Sequence, residues 1–142
     1  MIIWIERPLA LAIHERQLAE HGGGVGVRDE SLLESALARP QQLHPYGDPP
    51  PDLVDLAASL AFGLARNHPF VDGNKRTAHV CYRVFLALNG ADISASDEDK
   101  YVAMLSLAEG SQSEAEFAAW LREHITLDGR KRVNEPRANY NR

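Results

Sequence analysis

Apolar residues recur at helical spacing along most of this chain, and the breaks between the periodic runs predict six helices. A short β-branched start, Ile2 to Ile5, reads as a strand. Pro8 then stands at a first helical turn, and Leu9, Ile13 and Leu18 form one apolar face that ends at Gly22-Gly23-Gly24. A second helix begins at Asp29 and Glu30, uses Leu32, Leu33 and Leu37, and is expected to stop before Pro40. The stretch from Gln41 to Pro51 holds four prolines and reads as a loop. Asp52 opens a third, strongly apolar helix (Leu53, Leu56, Leu60, Leu64) in which Ala57, Ala58, Ala61 and Gly63 allow close approach of neighbours. It is expected to be the buried centre of the fold. A fourth helix runs from Asn74 through Val80, Val84, Leu86 and Leu88 to an Asn89-Gly90 stop. Ala91 to Ser94 reads as a short edge strand. Two helices follow, from Asp97 to about Glu109 and from Ser113 to about Ile125, the second with a Ser113/Glu116 capping box.

Composition narrows the class. The 142 residues are 44% apolar and 25% charged, enough for one domain with its own core, since domains commonly run about 100–150 residues. Cys81 is the only cysteine, which excludes a disulfide framework and a Cys-rich zinc site. The longest helical stretch without charge, Leu56 to Ala65, is far short of the roughly 20 residues a membrane span needs. The start Met1-Ile2-Ile3-Trp4-Ile5-Glu6 lacks the basic and long apolar regions of a secretion signal, so a cytoplasmic protein is expected. The net charge of −5 is uneven: Asp128 to Arg142 carries Arg130, Lys131, Arg132, Arg137 and Arg142 against Asp128 and Glu135. A domain over 1–127 and a basic tail over 128–142 follow. The acidic body argues against direct nucleic-acid binding, which depends on phosphate neutralisation.

The stretch that carries chemistry is Asn67-His68-Pro69-Phe70-Val71-Asp72-Gly73-Asn74-Lys75-Arg76-Thr77, between the third and fourth helices. A helix start exposes unpaired N–H groups at the positive end of its dipole and is a ready anion site. Gly73 lets a ligand approach the backbone, and Asn74, Lys75 and Arg76 add donors at the same end. Cations are unfavourable in a first turn, so Lys75 and Arg76 there point to an anionic guest, phosphate above all. His68 offers an imidazole, the side-chain type suited to taking a proton at physiological pH, and Asp72 is an oxygen ligand of the kind Mg²⁺ prefers. Base, metal ligand and phosphate cradle in one short run suit phosphoryl or nucleotidyl transfer, whose catalysis is mostly positioning and charge neutralisation. Phe70 is expected to enter the core and anchor the loop.

The run His68-Pro69-Phe70-Val71-Asp72-Gly73-Asn74-Lys75-Arg76 resembles the signature of the Fic/Doc (Fido) family, and most closely its Doc branch. Fic members read His-Pro-Phe-x-(Asp/Glu)-Gly-Asn-Gly-Arg with a second arginine three residues on. Here Lys75 takes the place of the second glycine and His79 that of the second arginine; Doc-type toxins share the lysine and lack that arginine. The resemblance takes in roughly Ile2 to Ile125, including the helix order and the Gly-Gly-x-x-Gly run after the first helix. It implies an all-α single Fido domain of about six helices with minor β content. It also implies His68 as general base on a target hydroxyl, Asp72 as the Mg²⁺ ligand, and Gly73, Asn74, Lys75 and Arg76 as the residues that bind the phosphates of ATP.

Lys75 implies the Doc arrangement, in which the γ-phosphate is transferred to a protein threonine: a Ser/Thr kinase acting as the toxin of a toxin–antitoxin pair. Pro69 and Gly73 are Fic-like and keep open an adenylyltransferase that moves AMP to Ser, Thr or Tyr. A non-catalytic Fido binding module is the alternative from another class. The implied target is a component of translation such as elongation factor Tu, and the implied partner a Phd-like antitoxin. The Gln41 to Pro51 loop falls where the family carries a target-docking flap, with His44 and Tyr46 as candidate contacts. Ser106-Leu107-Ala108-Glu109-Gly110 is one residue short of the family's inhibitory string and reads as an ordinary helix end.

Other features take plainer readings. Gly22 to Gly26 follows a helix rather than a strand and lacks a Lys-Ser/Thr pair, so it reads as a helix stop and turn, not a nucleotide loop. His14, His21 and His124 read as surface or satisfied core histidines, and His79 as structural. Cys81 reads as a small buried hydrophobe. Trp4 and Trp120 read as packing residues, Trp120 also as a candidate antitoxin contact.

Overall fold

A computed structural model describes residues 1–127 of the protein; the expected basic tail over 128–142 lies outside the described residues. Within them the order is α1 (Arg7–His21), α2 (Glu30–Tyr46), α3 (Leu53–Asn67), α4 (Asn74–Leu88), β1 (Ala91–Ile93), α5 (Asp97–Glu109), α6 (Glu114–His124) and β2 (Ile125–Leu127). The fold is all-α with a small two-stranded sheet, as expected.

α3 is the centre. Asp52 and Asp55 close its start as a reciprocal capping box, and ten of its 15 residues are buried. A helix apolar nearly all round must be enclosed by others, and α2, α4 and α6 pack around it. Gly63 sets the closest approach: a Cβ there would lie 3.1 Å from the Ala36 Cα and 3.2 Å from its Cβ.

Four sequence expectations change. α2 does not stop before Pro40 but continues through Pro40 and Pro45 to Tyr46, so the loop shrinks to the residues after it. The reason is packing: Leu33, Ala36, Leu37 and Pro40 form an i, i+3, i+4, i+7 stripe that is buried, and this contact carries the helix across a residue that lacks a donor. The face of α1 also differs: Ala10, Ile13, His14 and Gln17 are buried, while Leu9 is exposed. Ile2 to Ile5 is no strand; its backbone pairs instead with a side chain, Ile3 N donating to Asn89 Oδ1 (2.8 Å) and Asn89 Nδ2 to Ile3 O (2.9 Å). Finally, α6 gives way at Ile125 to an unforeseen strand, β2, which pairs antiparallel with β1 in the register Asp92 to Thr126. Too short to be legible alone, β2 exists because β1 offers it an edge.

This arrangement leaves a short connection between Asn67, the last residue of α3, and Asn74, the first of α4, and fixes both of its ends to buried helices. Gly63→Val is expected to lower the unfolding free energy by about 1–3 kcal/mol, because the added side chain meets the Ala36 backbone; a urea titration checks it.

Candidate active site

α3 ends in an unusual way. His68 caps it with φ 52° and ψ 55°, the only non-glycine residue among those described in the left-handed region, a conformation that costs on the order of 1–3 kcal/mol and persists only where the surroundings enforce it. Pro69 cannot continue a helix, and Phe70 turns inward, 1% exposed. Its ring lies flat on that of His14, 3.8 Å away at 9°. Asn74 then clamps the Phe70 backbone from both sides: Phe70 N donates to Asn74 Oδ1 (2.9 Å), and Asn74 Nδ2 donates to Phe70 O (3.0 Å).

The Asn74 side chain, expected as a phosphate donor, is held in this clamp by its Oδ1 and one Nδ2 hydrogen, which leaves its second Nδ2 hydrogen and its backbone N–H at the start of α4.

Asp72 faces solvent beside this turn. Its Oδ1 accepts from Gly73 N (2.8 Å) and its Oδ2 from Gly24 N (3.3 Å). These two N–H groups above all, with Arg76 nearby, hold the carboxyl below the usual carboxylate range. The Asp72 carbonyl accepts from His14 Nε2 at 2.8 Å. Gly73 caps α4 with φ 75° and ψ 21°, no side chain caps this end, and no acidic residue stands in the first turn. The N–H groups of the turn therefore point out together with Lys75 and Arg76.

These groups surround a cavity of about 270 Å³ lined by His68, Val71, Asp72 and the Gly73 to Arg76 turn, with Tyr101 of α5 as the one wall from elsewhere. A larger hollow of about 650 Å³ lies between α1 and the segment after it, lined mainly by apolar residues such as Leu11, Leu18 and Val27; it gathers no comparable set of polar groups. The smaller cavity is the one with chemistry.

A sequence model of the Fic/DOC family matches residues 4–86. The chain belongs to this family. It is 50% identical over 74 residues to a protein named Toxin Doc from Mycolicibacterium smegmatis, a match covering 52% of this chain and 57% of that relative, a little over half its length. It is 33% identical over 88 residues to a protein named Protein kinase doc from Escherichia phage P1, a match covering 62% of this chain and 69% of that one.

Of the expected site residues, His68, Asp72, Gly73, Asn74, Lys75 and Arg76 line one cavity, and Phe70 anchors it from the core. His44 and Tyr46 do not join them. They lie at the end of α2, beside the start of α3, whereas His68 caps the other end of that helix, a separation of about 22 Å for 15 residues. His44 instead meets Trp4 edge-on at 5.6 Å, and Trp4 stacks on Phe85.

The segment that does flank the site is Gly23 to Arg28. Val71 N donates to Gly26 O, Val27 bridges to Phe70, and the N–H groups of Arg28 and Asp29 converge on Pro69 O. Glycine is required here for approach as well as turning: a Cβ on Gly23 would lie 2.8 Å from Asp72 Oδ2, and one on Gly24 would lie 2.9 Å from the Val71 side chain. The density of glycines was the available signal. For His14 and Arg28 no local pattern exists, since their partners lie 58 and 40 residues away.

His79, read as structural, does not line the cavity and makes an edge-on contact to Tyr82 and another to Tyr101. Burial, then the charges of Arg83 and Lys100, push it down to about 4, so near neutrality it adds no charge in place of the family's second arginine. Cys81 is buried and its thiol is pushed up to about 12. Ser106 to Gly110 ends α5 in an ordinary left-handed cap, with the Gly110 N–H on Ser106 O and Leu107 O.

Because the folded His79 resists protonation that the unfolded chain accepts, stability is expected to fall as pH drops from about 6.5 to about 4. Denaturant unfolding of His79→Phe across that window is expected to show a shallower decline than the unchanged protein.

Proposed function

We propose that this protein is a Doc-like toxin that transfers the γ-phosphate of ATP to a hydroxyl side chain of a protein target. The observation that carries this reading is the start of α4, an uncapped helix end with two cations and no acid in its first turn, lying in one cavity with His68 and an ionised Asp72. Relatives named as a toxin and as a protein kinase support it.

The residues present fit the cofactors the reading needs. Among the described residues no cluster of three or more His, Cys, Asp or Glu forms a metal site. A single exposed carboxylate suits Mg²⁺, which keeps several waters and shares its remaining positions with substrate phosphates. The cavity, about 270 Å³, lies just under the roughly 300–1,000 Å³ of sites that enclose a whole ligand; it suits the phosphate chain of ATP, with the rest of the nucleotide outside. Bound there, ATP with Mg²⁺ would supply the transferable phosphoryl group. Lys75, Arg76 and the N–H groups of the turn would bind and neutralise phosphate oxygens, the work on which this chemistry mostly depends. His68 would take the proton of the attacking hydroxyl, and Asp72, held ionised by Gly73 and Gly24, would hold the metal without competition from protons.

The proposed target is a factor of the translation machinery, of which elongation factor Tu is the example the family resemblance implies. The proposed partner is a Phd-like antitoxin that restrains the enzyme in the cytoplasm. Among the described residues no helix is long and apolar enough to cross a membrane.

The test supplies ATP labelled at the γ-phosphate or at the α-phosphate to the purified protein with a cell lysate. Protein label from γ alone, lowered about 10²–10⁴-fold in His68→Ala and lost with excess chelator, is the expected result. Label from α would make the protein an adenylyltransferase despite Lys75. Absence of any His68-dependent label would sink the enzyme reading and leave a binding module.

A further inference from the structure

We infer that Arg28 is a positioning residue for His68, holding the base in its left-handed backbone conformation from a separate segment of the chain. The importance of His68 rests on the function proposed above; the contacts do not. A left-handed residue at the end of a helix is usually glycine or asparagine, which adopt that conformation readily. Here the position is given to a histidine whose side chain lines the cavity, so the conformation must be enforced from outside.

Arg28 is placed to enforce it. Its Nε donates to His68 O at 2.8 Å and its Nη2 to Asn67 O at 3.0 Å. One guanidinium therefore spans the last two carbonyls of the α3 end, where the dipole is negative and a cation is favoured. The planar fork matches two adjacent oxygens in a way that a lysine ammonium does not. Its own backbone N–H is fixed on Pro69 O at 2.7 Å, and Asp29, the next residue, caps α2 by accepting from Leu32 N. The base is thus tied through Arg28 to the start of α2. Among the described residues the hydrogen bonds Arg28 donates run to the backbone of Asn67, His68 and Pro69 and not to the Asp72 to Arg76 cradle.

The separation of base from cradle gives the test. Arg28→Ala and Arg28→Lys in the full chain are compared with the unchanged protein for kcat of transfer, for the equilibrium dissociation constant of ATP, and for the imidazole NMR signals of His68. In Arg28→Ala, kcat is expected to fall by about tenfold to a hundredfold while ATP binding changes by less than about twofold. The His68 signals are expected to shift or split, and added guanidinium ion to restore part of the rate. Arg28→Lys, which keeps the charge and the fold but loses the fork, is expected to lie between. Unmoved His68 signals in both variants would overturn the inference, and so would a loss of ATP affinity equal to the loss of rate. Should the unchanged protein transfer no label at all, the proposed function fails by itself, and the His68 signals still decide whether Arg28 positions it.

Discussion

The burial of Phe70 is the constraint from which the geometry of the site follows. Sinking an aromatic ring completely is worth about 1.5–3 kcal/mol, and here the ring enters from the middle of a connection only six residues long, between Asn67 and Asn74. With Phe70 drawn in against His14 and its N–H and C=O held by Asn74, little freedom is left to its neighbours. His68 must turn back through the left-handed region on one side, and Asp72 must emerge on the other. The chemistry-bearing residues are the ones that the anchor forces outward.

The polar contacts then decide what those residues can do. Asp72 takes an N–H from the residue after it and another from Gly24, so its charge is set by backbone donors that do not titrate. His14 is spent on the Asp72 carbonyl and lies in the core at 3% exposure. The start of α4 is treated in the opposite way. Every other α-helix with a capped start uses Asp or Ser for that purpose, as at Asp29, Asp52, Ser96 and Ser113, whereas α4 has Gly73 and two cations. A cation at this end costs a few tenths of a kcal/mol to about 1 kcal/mol. α1 also starts without a side-chain cap, but its first-turn Arg7 is paired with Glu30; two cations at an uncapped end that lines a cavity with His68 and Asp72 are what mark α4 as a ligand position.

The segment after α1 supplies what the signature cannot hold by itself. Gly26, Arg28 and Asp29 provide the backbone partners of Pro69 and Val71, and Arg28 adds its side chain at the end of α3. The glycines allow this strip to pass within contact of Asp72 and Val71. It occupies the flank of the site where the family resemblance would have put the Gln41 to Pro51 stretch. That stretch lies at the far end of α3 because α2 and α3 form an antiparallel pair, and a helix of 15 residues separates its two ends.

The sequence by itself determined the helices with strong periodicity, the helix start at Asp52, the capping box at Ser113, the small-residue face of α3 and the run from His68 to Arg76. Each depends on residues within a few turns of one another, so the local pattern carries the information. Tertiary structure decided the rest. Pro40 sits inside a helix because its stripe is buried against α3, and β2 is a strand because β1 is beside it. Asn74 clamps the loop because Phe70, once buried, presents both backbone groups to it. His14 and Arg28 belong to the site because the fold brings α1 and the segment following it against a loop some 40 to 58 residues away, and no spacing within either segment records what lies across from it.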